Sequence, residues 1–151
     1  MPTSTLRIRG RDYTLDHVRL DLSFDREGDA HYLIFGLFAD SQKLTRAGLA
    51  IKAMTIEGLA QAADLQGRVF ELGYSDDEED EDYLNELGDS AIYEPKQALE
   101  LEHLKLTFGA LANGAFEIAL DAVCYTVNAR SGEIEEENIP VSGRLIAEAR
   151  P

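Results

Sequence analysis

Apolar residues in this chain recur at every second position over most of its length. Side chains on a strand alternate between the two faces of a sheet, so such a pattern builds half-buried strands and leaves little room for helix. Leu6 and Ile8 alternate with Arg7 and Arg9 before a turn at Gly10-Arg11-Asp12. Val18, Leu20, Leu22 and Phe24 alternate with Arg19, Asp21 and Ser23. Tyr13 and Leu15 take the opposite parity, so a strand from Tyr13 to Phe24 needs a bulge near Asp16-His17 to keep both sets inward. Asp25 to Asp29 reads as a turn. Ala30 to Ala39 is apolar on both parities and reads as a central strand, with Gly36 marking a bulge or a close backbone approach.

Asp40 to Arg46 is polar and loop-like, and Ala50 to Ile56 resumes as a strand. Leu59 to Leu65 has the make-up of one or two helical turns ended by Gly67, and Arg68 to Leu72 is a short strand. Ala91-Ile92-Tyr93 is another. Leu99 and Leu101 then alternate on one parity, and Leu104, Leu106 and Phe108 on the other. That switch calls for a bulge at Glu102-His103. Asn113-Gly114 is a strong hairpin signal. Phe116, Ile118, Leu120, Ala122 and Cys124 follow on even positions, then a polar loop from Asn128 to Asn138, then Ile139, Val141, Gly143, Leu145 and Ala147.

The pattern predicts an antiparallel all-β domain of about eight or nine strands with at most one short helix. Unequal strand lengths and a strand apolar on both faces favour a β-sandwich, with barrel-like closure as the variant. At about 150 residues per domain, 151 residues make one domain, 1–151, with an acidic loop insertion at 75–90. An apolar content of 44% excludes a wholly disordered chain.

The formal net charge of -15 comes from 29 acids against 14 bases, and it is concentrated. Nine acids lie between Ser75 and Asp89: Asp76, Asp77, Glu78, Glu79, Asp80, Glu81, Asp82, Glu86 and Asp89. Four more, Glu133, Glu135, Glu136 and Glu137, lie in the loop before the last strand. Neither segment holds a Lys or Arg, so 16 acids face 14 bases elsewhere. The body is nearly neutral and carries two acidic appendages. Arg7, Arg9 and Arg11 would share one face of a strand, where charge discourages edge-to-edge pairing. Three arginines in so acidic a chain are too small a footprint for nucleic acid, which is recognised by clustered cations.

Known catalytic spacings are absent. There is no Gly-x-Ser-x-Gly, phosphate loop, dinucleotide fingerprint or His-Glu-x-x-His. One cysteine, Cys124, on the inward parity of its strand, reads as inert core filling and excludes an internal disulfide or a multi-cysteine zinc site. His17 and His103 both sit at parity switches and could meet in a shared site; His31 is the third histidine. Asp21 and Glu117 are mid-strand acids of the type that glycoside chemistry pairs. The seven successive acids lack the glycine of a calcium loop and repel one another. No cofactor is expected.

The longest largely apolar stretch, Tyr32 to Ala39, is far short of the about 20 residues of a membrane helix. Residues Met1 to Arg9 lack the apolar run of a secretory signal. With a lone thiol, a cytoplasmic setting is expected. The expected function is a non-catalytic binding or inhibitor module. It would dock a basic protein through Asp76, Asp77, Glu78, Glu79, Asp80, Glu81 and Asp82, with Tyr74 and Tyr83 beside them. The alternatives are a small-ligand or hydrolytic β-sandwich with a histidine in its pocket, and a structural subunit of a homo-oligomer.

Overall fold

The computed structural model describes residues 4–39, 47–59, 61–73, 90–95 and 97–150. Ten strands occupy them: β1 (Ser4–Ile8), β2 (Arg11–Leu15), β3 (Arg19–Glu27), β4 (Ala30–Ala39), β5 (Gly48–Glu57), β6 (Val69–Gly73), β7 (Ala91–Glu94), β8 (Gln97–Ala112), β9 (Ala115–Val127) and β10 (Ile134–Arg150). The helical expectation at Leu59 to Leu65 reduces to one 3-10 turn, Ala62–Leu65. Among the described residues no helix is long and apolar enough to cross a membrane.

The strands form two groups. β3, β4 and β5 are an antiparallel meander. β2, β1, β10, β9 and β8 lie side by side, and β7 and β6 share the far edge of β8. Two short seams join the groups. Gly48–Ala50 of β5 pair with Ala91–Tyr93 of β7, and Arg19–Asp21 of β3 run parallel to Glu148–Arg150 of β10. The pairing therefore runs round a ring, from β3 through β4, β5, β7, β8, β9 and β10 back to β3. The architecture is a sandwich whose two edges are stitched into a partial barrel. One seam is parallel, an exception to the antiparallel expectation.

The extra strand comes from the residues near 16. Tyr13–Leu15 and Arg19–Phe24 are not one bulged strand. The chain turns through His17, whose φ is 54°, and β2 folds back on β1. Parity alone cannot separate a bulge from such a break, because both displace the alternation by one residue. The parity switch at Glu102 is a true bulge: Leu101 faces Cys124 and His103 faces Val123, leaving Glu102 over.

The core is made by the inward sets. Leu6, Ile8, Leu20, Leu33, Leu37, Leu104, Leu106, Phe116, Ile118 and Leu145 are all fully buried. Phe108 stacks edge-on against Phe116 at 5.6 Å and against Phe70 at 5.5 Å. Burying each large apolar side chain is worth about 1.5–3 kcal/mol, enough to fix which face of every strand points inward. β4 meets its expectation: Leu33, Leu37 and Ala39 are buried while Ile34 and Phe38 are half-buried. Its register with β5 shifts between Phe35 and Leu37, at Gly36. The hairpin at Asn113-Gly114 has φ of 54° and 78°, the positive pair a type I′ turn requires.

Candidate functional site

Residues 74–89 lie outside the described residues, and with them Tyr74, Asp76, Asp77, Glu78, Glu79, Asp80, Glu81, Asp82 and Tyr83. The second acidic segment is described. It closes the turn between β9 and β10 and continues into the start of β10.

Asn128 organises that turn. Its Oδ1 accepts the backbone N–H groups of Arg130 and Ser131 at 2.8 and 3.1 Å. Its backbone N–H donates to the carbonyl of Glu133 at 2.8 Å, and its carbonyl accepts the N–H of Gly132 at 2.8 Å. Its side-chain Nδ2 donates to Glu135 at 2.6 Å. Short asparagine side chains favour such local bonds, which tie down a turn without apolar packing. Residues 129–138 are all exposed, so a defined backbone presents Glu133, Glu135 and Glu137 to solvent. Ile134 sits among them 52% exposed.

Two bulges flank β9 just behind this turn. On β8, Glu102 is the residue left over between the Leu101–Cys124 and His103–Val123 pairs. On β10, the register shifts between the Glu136–Thr126 and Ile139–Cys124 pairs, leaving Glu137 and Asn138 against Tyr125. Asn138 has φ of 56°, the left-handed conformation asparagine tolerates best after glycine. Strand β9 keeps its parity throughout: Phe116 to Thr126 on even positions are buried, so Tyr125 lies on the outer face. Bulges bend a strand and re-aim side chains. Here the two frame an outer-face groove of about 390 Å³ lined by Glu102, Tyr125, Ile134, Glu137 and Asn138. Glu100 faces Tyr125 across the β8 pairing. No Lys or Arg lines the groove.

Charge is balanced on the neighbouring part of the same face. Asp12, Arg7, Ser142, Asp121, Lys105 and Glu71 lie opposite one another on β2, β1, β10, β9, β8 and β6, so signs alternate across the sheet. Arg7 and Asp12 approach to 3.7 Å. A second groove there, about 440 Å³, is lined by Arg7, His103, Asp121, Val123, Pro140 and Ser142 among others. His103 Nε2 lies 3.0 Å from Glu71 Oε1.

The three N-terminal arginines do not share a face. β1 ends at Ile8, and Arg9 occupies the turn with φ of 54°. Arg7 lies on the outer face, while Arg11 pairs with the inward Ile8. Arg9 bridges two carboxylates: Nε is 3.3 Å from Glu94, and Nη1 donates to Glu136 Oε1 at 2.7 Å. A left-handed conformation costs a non-glycine residue about 1–2 kcal/mol. Through Arg9, Glu94 on β7 and Glu136 on β10 are drawn together, and one acid of the second segment is tied to the body.

The other candidates are dispersed. Val18 accepts a hydrogen bond from Glu148, which faces Ala115, whereas His103 faces Val123. His17 and His103 therefore sit about eight residues apart along β9, roughly 26 Å at the usual strand rise, and share no site. His31 faces Arg26 near the β3–β4 turn. Asp21 faces Arg150 and Glu117 faces Ile146, about four residues or roughly 13 Å apart along β10. Glycosidase carboxylates stand about 5–9.5 Å apart. Asp21 instead pairs with Arg19 at 3.2 Å. Cys124 is buried, and burial foremost, with the nearby Glu100 charge adding to it, pushes its thiol up to about 12. A thiol so held is a poor nucleophile at neutral pH. Among the described residues no group of three or more His, Cys, Asp or Glu could hold a metal ion, and every buried polar side-chain atom has a partner.

The groove at Tyr125 was not legible as a site in the sequence. Its members come from three strands, and the alternation supplied only one signal, the parity switch at Glu102. No protein-family model, curated protein or solved structure matches the chain.

Proposed function

We propose that the chain is a non-catalytic binding module that docks a basic protein partner through its acidic segments. The observation that carries this reading is the turn between β9 and β10, which holds Glu133, Glu135 and Glu137 exposed on a backbone pinned by Asn128. A solvating loop needs no such order. An interface gains from it, because a pre-organised surface loses less entropy on binding. In this reading Asp76 to Asp82 supplies the long-range attraction, and Tyr74 and Tyr83 supply contact area. Clustered charge of one sign raises encounter rates and selects partners of opposite sign.

The test uses the tagged full chain as bait in a lysate of the cells that encode it. The reading predicts a stoichiometric partner of basic isoelectric point, retained at low salt and eluted at about 0.5 M salt, where exposed charge pairs are screened. Retention of neutral or acidic proteins alone, or retention indifferent to salt, would contradict it.

A second reading, a small-ligand site, is favoured by one observation: His103, hydrogen-bonded to Glu71, lines a groove with Arg7, Asp121 and Ser142. It predicts a ligand-induced rise in melting temperature that His103→Ala removes.

A further inference from the structure

Resting on the docking reading above, we propose that the groove at Tyr125 takes an arginine side chain presented by the basic partner. Its lining combines a half-buried tyrosine, Tyr125, with an exposed aliphatic side chain, Ile134. Glu102 and Glu137, one on each bulge, line it as well, with Glu100 across the strand from Tyr125. None of these three carboxylates has an ion-pair partner among the described residues. At about 390 Å³ the groove is near the small end of ligand pockets, suited to one long side chain and not to a folded element.

Charge complementarity selects a cation, and the tyrosine in the lining selects which one. A guanidinium is planar and weakly hydrated. It stacks on an aromatic face while its fork of N–H groups reaches carboxylates on both sides. An ammonium is a compact, strongly hydrated charge that gains less from an aromatic face. This chain stacks a guanidinium on a ring elsewhere: Arg19 lies 4.9 Å above the ring of Phe38. A second copy of the chain is a poorer occupant. Its Arg7, Arg9, Arg19 and Arg26 are already paired with their own acids, and insertion of its Arg11, Arg68, Arg130 or Arg144 would show as self-association of the free chain.

The experiment is a titration of the isotopically labelled full chain with a tri-arginine peptide, followed by backbone amide shifts. Tri-lysine and tri-citrulline peptides serve as comparisons. The proposal predicts shifts centred on Glu102, Tyr125, Glu137 and Asn138, at least about threefold weaker affinity for tri-lysine, and no binding of tri-citrulline. Glu102→Gln with Glu137→Gln should weaken the tri-arginine interaction about tenfold, and Tyr125→Leu should remove the preference for arginine over lysine. The glutamines are isosteric with the glutamates, Tyr125→Leu keeps an apolar side chain at a half-buried outer-face position, and a dispersed amide spectrum verifies the fold of both variants. Shifts confined to residues 129–133 of the turn, with Glu102, Tyr125, Ile134, Glu137 and Asn138 unmoved, would overturn the groove assignment and leave the acidic docking reading intact. Absence of any peptide binding would overturn both. Two further outcomes overturn the arginine assignment: the same amides shifting with calcium chloride alone, or self-association of the free chain that the double substitution abolishes.

Discussion

Glu102 on β8 and Glu137 on β10 stand on two bulges that interrupt the pairing of β9 from opposite sides, with Tyr125 between them. Each bulge shifts one neighbour of β9 by a residue, while β9 keeps its own alternation unbroken. The bulge on β8 keeps Leu99 and Leu101 on the same core face as Leu104, Leu106 and Phe108 and leaves Glu102 exposed. On β10 residues 134–138 are all exposed, so the second bulge re-aims exposed residues only. One side of the groove is thus a by-product of the parity correction that fills the core.

Removing the spare residue on β8 tests that coupling. Deleting Glu102 forces either Leu99 and Leu101, or Leu104, Leu106 and Phe108, onto the outer face, because a one-residue slip inverts a strand. Exposing two or three large side chains at about 1.5–3 kcal/mol each consumes most of a typical 5–15 kcal/mol stability. The deletion should show no cooperative thermal transition by circular dichroism, while Glu102→Gln should melt within a few degrees of wild type. A deletion that melts like wild type would show that the bulge is dispensable.

Gly36 makes a second test on the opposite sheet. A Cβ there would lie 2.6 Å from Cε2 of Phe38, so the ring must swing and lift the Arg19 guanidinium stacked on it. Overpacking costs about 1–3 kcal/mol, against about 0.4–1 kcal/mol gained from a stiffer unfolded chain. Gly36→Ala should therefore lower stability by about 1–2 kcal/mol, a fall of roughly 2–8 °C for a domain of this size. A rise in melting temperature would contradict the packing described.

Cys124 gives a pH prediction with a definite sign. Its thiol is raised from 9.0 to about 12, by burial first and by Glu100 second, so folding favours the protonated form. That contribution is fully present below pH 9 and is lost as pH rises from about 9 to 12, because the unfolded chain releases its proton first. Wild type should lose its stability advantage over Cys124→Ala across that window in denaturant titrations. At pH 8 a thiol reagent should modify native protein no faster than it unfolds. Rapid modification of the native state would show an accessible thiolate.

Much of this architecture was readable from single residues. Gly36 announced a bulge or a close backbone approach, and the register shift falls there; Asn113-Gly114 announced a hairpin and the Leu101-to-Leu104 switch a bulge, because each is a local event with a local signature. The break at His17 reads as a bulge in the sequence because both events shift parity equally. The bulge at Glu137-Asn138 was hidden in a run of acids with no apolar alternation to be displaced. The parallel seam between β3 and β10 joins residues more than a hundred positions apart, and nothing in either strand encodes its partner. The site follows the same rule. The acids were visible as composition, whereas their arrangement around Tyr125 depends on three strands coming into register.

The docking claim is tested most directly by the dissociation constant of the captured basic partner as a function of ionic strength. It should be measured for the full chain and for a chain lacking Asp76–Asp82. The account predicts that affinity for the full chain falls at least about tenfold between about 20 mM and 0.5 M salt. It also predicts that the deletion weakens binding at low salt and flattens the salt dependence. An affinity that ignores salt, or a deletion that leaves both affinity and slope unchanged, would contradict it and reduce the charge to a solvating coat.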